Sequence, residues 1–140
     1  MPDLRALFDD LVRVEITLWD AVDRRLRRDV DLPLGRAEVL RIVTTTPSCR
    51  VQDVAAALGI TVGAVSKLVD RLEAADLCVR RAHPDDRRSS LLDVTDAGRE
   101  AAAAADAAVR DELARRLDSL SVRDLDRVAS LLRSIRATVG

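Results

Sequence analysis

Aromatic side chains are almost absent from this chain. Phe8 and Trp19 are the only two in 140 residues, and there is no tyrosine. No platform is therefore available on which successive bases of a single-stranded nucleic acid could stack. Histidine occurs once, as His83, and cysteine twice, as Cys49 and Cys78, with no CxxC spacing. Three dispersed side chains make no zinc site, so neither a metal nor a cofactor is expected. In a reducing compartment the two cysteines read as free thiols. No window approaches about 18 consecutive apolar residues, so no membrane span is expected. The N-terminal stretch MPDLRALFDD lacks the cationic and apolar segments of a signal peptide, which makes the expected location cytoplasmic. There is no P-loop, no GxGxxG and no metal signature, and the carboxylates are spread along helical faces at ion-pair spacing. The chain does not read as an enzyme.

Lysine is nearly missing too: Lys67 is the only one, and every other basic side chain is arginine. With the abundance of alanine and valine, this reads as the mark of a GC-rich genome. The length suffices for one domain with a real core, and the balance of apolar and charged residues is that of a soluble globular protein. The net charge of −1 argues against a generally basic nucleic-acid coat. Local distribution matters more than the sum. Residues 79–90 hold Arg80, Arg81, Arg87 and Arg88 against Asp85 and Asp86, so the small cationic excess sits in one short segment.

The spacing of Leu4, Leu7, Phe8, Leu11, Val14, Leu18, Val22 and Leu26 predicts one amphipathic helix from Pro2 to Asp29. At 1.5 Å per residue it would be about 40 Å long, too long to lie wholly on a small domain, so part of it is expected to pack on another chain. Asp31-Leu32-Pro33 breaks it. A second helix, Leu34–Thr45, ends at the β-branched run before Pro47. Cys49-Arg50-Val51 is a candidate very short strand. Gln52–Leu58 is a short helix closed by Gly59, which can take positive φ. Thr61 then caps a helix from Val62 to about Ala75. Val65, Leu68, Val69 and Leu72 face inward at helical spacing, which turns Val62, Gly63, Ser66, Lys67, Asp70 and Arg71 outward.

Helix, glycine turn, helix is a helix-turn-helix pattern, though helical hairpins are common. The continuation adds specificity. Leu77–Arg81 and Ser90–Val94 read as two strands about a turn at His83-Pro84-Asp85-Asp86, which is a wing. Thr95 caps an alanine-rich helix over 96–117. Ser121-Val122-Arg123-Asp124 resembles a capping box with Asp in place of Glu. Val122, Leu125, Val128, Leu132, Ile135 and Val139 form a second apolar stripe. The fold class expected is mainly α with a small antiparallel β-wing. It is read as one domain over 1–140, with a winged helix-turn-helix lobe at 31–95 flanked by dimerisation helices at 1–30 and 96–140.

From Val51 to Gly98 these residues resemble the MarR family of bacterial winged-helix regulators. Ser66-Lys67-Leu68-Val69-Asp70-Arg71-Leu72-Glu73 looks like the family's recognition helix, and Asp85-Asp86-Arg87-Arg88 like its wing tip. Val94-Thr95-Asp96-Ala97-Gly98 is similar to its LTxxG junction. Two positions depart from the pattern: Asp76 stands where glycine is usual, and Gly63 where a polar side chain is frequent. Asp can adopt the left-handed conformation, so the fold should survive.

The resemblance implies a homodimer that binds a pseudo-palindromic operator in double-stranded DNA. It implies a repressor of its own or neighbouring genes, relieved by a small aromatic or phenolic ligand or by cysteine oxidation. Thr61 and the free N–H groups behind it suit a phosphate. Ser66 and Lys67 can reach base edges or phosphates, and Val62 a thymine methyl. Gly63 lets the backbone approach DNA closely, and Arg71 is expected at the sugar–phosphate backbone. By the same resemblance, Asp86 pairs with and aims Arg88 into the minor groove, with Arg87 on the adjacent backbone. The plain alternatives are a solvated helix face and a hairpin tip whose surface ion pairs contribute under about 1 kcal/mol.

A ligand pocket would lie between the dimer helices and the lobe, with Val12, Ile16, Trp19 and Val43 as candidate lining. Trp19 reads first as interface packing. Two other functions stay open on the residues alone: a winged-helix protein-interaction module, and a regulator of this type switched by oxidation of Cys49 or Cys78.

Overall fold

Asp3 starts the first helix by accepting the backbone N–H groups of Arg5 and Ala6, at 3.0 and 3.1 Å. In the computed structural model, which describes residues 1–86 and 89–140, six helices and two strands follow in order. They are α1 (Leu4–Asp29), α2 (Leu34–Thr45), α3 (Val51–Leu58), α4 (Val62–Ala74), β1 (Cys78–Ala82), β2 (Ser90–Val94), α5 (Asp96–Arg116) and α6 (Val122–Val139). This is the mainly α, winged helix-turn-helix architecture that the spacing predicts.

One core runs through the middle of the chain. Leu26, Val39, Leu40, Val54, Val65, Val69 and Leu72 are fully buried there, joined by Leu92 and Val94 of the wing and Ala105 and Ala108 of α5. Only the C-terminal half of α1 enters it, through Ala21, Val22 and Leu26. The stretch before it leaves Leu4, Phe8, Val14, Ile16 and Trp19 exposed, and α6 buries no residue at all.

Charged groups tie α1 to its neighbours. Asp23 accepts the orphaned N–H of Leu34 at 2.8 Å and so caps α2 from outside. Arg25 pairs with Asp29, with Asp111 at 2.8 Å and with the 6%-exposed Glu112 at 3.3 Å, linking α1 to α5. Hydrogen bonds from Arg28 and Arg25 hold the Asp29 carboxyl down at about 2. Arg116, 2.9 Å from Glu112, holds that carboxyl below its ordinary range.

Several boundaries differ from expectation. Pro2 lies outside α1, because Asp3 supplies the cap. At Cys49–Val51 there is no strand, only a single bridge from Arg50 to Leu91, since Val51 already begins α3. β1 starts one residue later than expected, because Leu77 still closes α4 by donating its N–H to the Leu72 carbonyl. The α6 capping box is half formed. Asp124 donates its N–H to Ser121 Oγ, but its short carboxylate accepts the Ser121 hydroxyl rather than the backbone N–H.

Candidate nucleic-acid interface

The helix-turn-helix is built by two reversals. Gly59, at φ 66°, ends α3 in the left-handed conformation. Thr61 then opens α4, its Oγ1 accepting the Ala64 N–H at 3.1 Å. Thr61, Val62, Gly63, Lys67 and Arg71 are exposed, and Ser66 is half-buried. The predicted outward face of α4 is therefore the one presented. A Cβ added to Gly63 would meet only Thr61 Oγ1, at 4.0 Å, so nothing inside the protein demands glycine there.

At its other end α4 closes through Asp76, at φ 58°, with Asp76 N–H donating to the Glu73 carbonyl and Leu77 N–H to that of Leu72. Aspartate thus does what glycine would. Thr95 fastens this turn to α5. Its hydroxyl donates to the Asp76 carbonyl at 2.6 Å and accepts the Gly98 N–H at 2.9 Å.

The wing is the antiparallel pair β1–β2, in register from Cys78 opposite Val94 to Ala82 opposite Ser90. Arg81 lies 3.4 Å from Asp93, and Arg80 pairs with Asp70 and Glu73 of α4. Two of the arginines that made the hairpin look cationic are therefore neutralised by acids of this chain. Arg87 and Arg88, the two assigned to DNA, lie outside the described residues. Asp86, meant to aim Arg88, donates its N–H to the His83 carbonyl at 3.4 Å and accepts that of Ser89 at 3.2 Å.

Sequence reasoning missed two residues here. Arg50 and Gln52 face Val62, Ser66, Arg80 and Ser89 across a polar cleft of about 430 Å³ between the helix-turn-helix and the wing. Arg50 stands at the start of α3, its N–H held by Asp53 Oδ2 at 2.8 Å. The signal was its position just ahead of a short helix, read instead as part of a strand.

The four candidate pocket residues do not meet within the chain. Val12 lines an apolar cleft of about 550 Å³ between α1 and α6, with Phe8, Leu132 and Val139. Val43 is buried in the core at the end of α2, and Ile16 and Trp19 stand exposed near the middle of α1. Their separation follows from the helix: Val12 and Trp19 are about 10 Å apart along its axis, beyond the core that Val43 faces. The described concavities that touch α2 and α5 are lined instead by Ala37, Arg41, Ala102, Ala105, Asp106 and Arg110.

Both cysteines are buried, Cys49 at 0% and Cys78 at 1% exposure, with β2 between their segments. Burial pushes the Cys49 thiol up to about 11 and raises that of Cys78 as well. Burial therefore disfavours the thiolate at both positions, the form in which a cysteine is oxidised. Among the described residues no cluster of His, Cys, Asp or Glu is arranged to hold a metal ion. No single described helix is long and apolar enough to cross a membrane.

An N-capped, outward-facing second helix followed by a two-stranded hairpin defines a winged helix-turn-helix protein of the class that binds DNA. Residues 32–90 match the model of the MarR family. A MarR-family regulator from Rhodococcus sp. RHA1 is 26% identical with a TM-score of 0.87, the match covering 96% of this chain and 95% of that one. The transcriptional repressor CouR, bound to a 23-mer DNA duplex, is 27% identical with a TM-score of 0.84, covering 97% and 99%. CouR from Rhodococcus jostii RHA1, bound to p-coumaroyl-CoA, is 28% identical with a TM-score of 0.79, covering 89% and 87%. No curated protein matches the sequence. The stretch that matches the MarR model covers the helix-turn-helix and the first strand of the wing, and along nearly its whole length the chain is similar in fold to transcriptional regulators of that family.

Proposed function

We propose that this protein is a homodimeric repressor that binds a pseudo-palindromic operator at its own or neighbouring genes and releases it on binding a small aromatic effector. The observation that carries the DNA reading is the exposed face of α4. It presents the Thr61-capped N-terminus, Val62, Gly63, half-buried Ser66, and Lys67 without an ion pair among the described residues. On duplex DNA, Thr61 and the N–H groups behind it meet a phosphate, and Lys67 and Ser66 reach base edges. Arg71 meets the backbone. Arg88, aimed by Asp86, enters the minor groove, and Arg87 lies on the backbone beside it. The similar repressor CouR bound to a duplex supports this assignment over a protein-interaction module.

Dimerisation is supported by the apolar residues left uncovered on α1 and α6: Phe8 at 57% exposure, with Leu4, Leu132 and Ile135. In this reading 1–30 and 96–140 supply the dimer and 31–95 the DNA-binding lobe. A two-fold pair would set its recognition helices in successive major grooves, about 10 bp apart.

The effector reading is supported by CouR bound to p-coumaroyl-CoA and by the grooves between α2 and α5. Their floor is apolar, with Ala37, Ala102 and Ala105, and Arg41, Arg99 and Arg110 stand at the edge. An aromatic body with an anionic end suits that lining. In the dimer the exposed Trp19 and Ile16 of α1, with Val12, are placed to close such a site, while Val43 supports it from the core.

Selection from random duplexes tests the reading. Enrichment of a two-fold symmetric sequence with half-sites about one helical turn apart is expected. Enrichment of nothing, or of a single asymmetric site, contradicts it.

A further inference from the structure

One arginine of the wing does not face outward. Arg80 lies two residues after the buried Cys78 on β1 and stands opposite the buried Leu92, so its side chain leaves the sheet on the core-facing side. Its guanidinium, 27% exposed, reaches along α4. Nη1 lies 2.9 Å from Asp70 Oδ1 and also contacts the Glu73 carboxylate. Nη2 donates to the Ser66 carbonyl at 3.2 Å. Ser66, Asp70 and Glu73 share one face of α4 and span about 10 Å of its axis. A single side chain thus fastens the hairpin to two turns of the recognition helix.

We propose that Arg80 is a positioning residue for DNA recognition: it fixes the spacing between α4 and the wing, cancels the charge of Asp70 and Glu73, and contacts no phosphate itself. The proposal rests on the DNA-binding reading above. Asp70 is 66% exposed on a helix that approaches a polyanion. Without Arg80, both carboxylates would repel the DNA that Lys67 and Arg71 attract. The fork geometry matters as well. A guanidinium offers several donors in a fixed plane and serves three acceptors at once, whereas a lysine ammonium acts as a point charge.

The test compares wild type, Arg80→Gln, Arg80→Lys and the triple variant Asp70→Asn, Glu73→Gln, Arg80→Gln. Circular dichroism establishes that each is folded. If Arg80→Gln does not fold, Arg80→Lys carries the comparison. The readouts are affinity for selected and for random duplex DNA, the slope of log affinity against log salt, and hydrogen exchange of the Cys78–Val94 hairpin.

Arg80→Gln is expected to lose about tenfold or more in specific affinity, with its salt slope unchanged and its hairpin amides exchanging faster. The triple variant should recover affinity for random DNA but not the ratio of specific to random binding. A salt slope lower by about one unit would make Arg80 a phosphate contact and overturn the proposal. Unchanged specificity together with unchanged exchange overturns it too. Should wild type bind no DNA, the DNA reading fails separately. Hairpin exchange then decides the docking role alone, and wild-type rates in Arg80→Gln would overturn it.

Discussion

A Cβ built on Gly98 would lie 2.0 Å from the Leu77 carbonyl oxygen and 3.3 Å from Val94 Cβ. The start of α5 passes directly over the turn that leaves the recognition helix, and only a residue without a side chain lets it through. The same carbonyl accepts the Thr95 N–H at 3.2 Å, so the close approach is fastened by a hydrogen bond. Thr95 and Gly98, three residues apart, together weld α5 to the lobe.

Gly98→Ala should therefore cost about 3 kcal/mol or more of stability, because the obstacle is backbone and cannot turn aside. Urea unfolding followed by circular dichroism measures this. A midpoint equal to that of wild type would contradict the close approach.

Thr61→Ala removes the N-cap of α4, at a cost of about 1 kcal/mol. It also removes a hydroxyl from the proposed phosphate site. Thermal unfolding and DNA titration should both register the change. Thr61→Ser should restore both, since its hydroxyl can accept the same Ala64 N–H.

The thiols give a pH prediction with a definite sign. Burial holds Cys49 up at about 11, so the folded state disfavours its thiolate. Deprotonation is easier in the unfolded chain, near the ordinary value of 9.0. Stability is therefore unaffected by this group below pH 9 and falls as pH rises from there towards 11. At neutral pH native protein should react with a disulfide reagent only slowly, and fully once unfolded. Replacing Cys49 and Cys78 with serine should leave any peroxide sensitivity of DNA binding unchanged. Fast labelling of the native protein would revive the oxidation reading.

The apolar faces of α1 and α6 make the dimer testable. Sedimentation at micromolar concentration should give twice the 15.3 kDa chain mass. Leu132→Glu, at a residue 45% exposed in the protomer, should shift the particle to the monomer while leaving the helices of the lobe intact. A wild-type monomer at that concentration contradicts the dimer.

Much of this was legible in the sequence wherever a local rule decides. α2 spans Leu34–Thr45 as read, because proline bounds it on both sides. β2 spans Ser90–Val94 as read, and Thr61, Gly59 and Thr95 cap and close the elements where their chemistry predicts. Properties that depend on tertiary arrangement were not legible. Arg80 counts as a wing cation in any tally of charge, and only strand register and the position of α4 turn it inward. Trp19 and Val43 both look like lining, yet one stands exposed near the middle of α1 and the other faces the core. The capping carboxylate that α2 receives from Asp23 crosses from another helix, and no local pattern marks it.

The most direct test of the central claim is fluorescence anisotropy with DNA from upstream of the protein's own gene, against scrambled DNA, over a series of salt concentrations. Wild type, Lys67→Ala and Arg88→Ala are compared. The account predicts tight, sequence-dependent and salt-sensitive binding by wild type. It predicts a loss in both variants, that of Arg88→Ala being largest on A·T-rich flanks. Equal binding of the operator by all three proteins would contradict it.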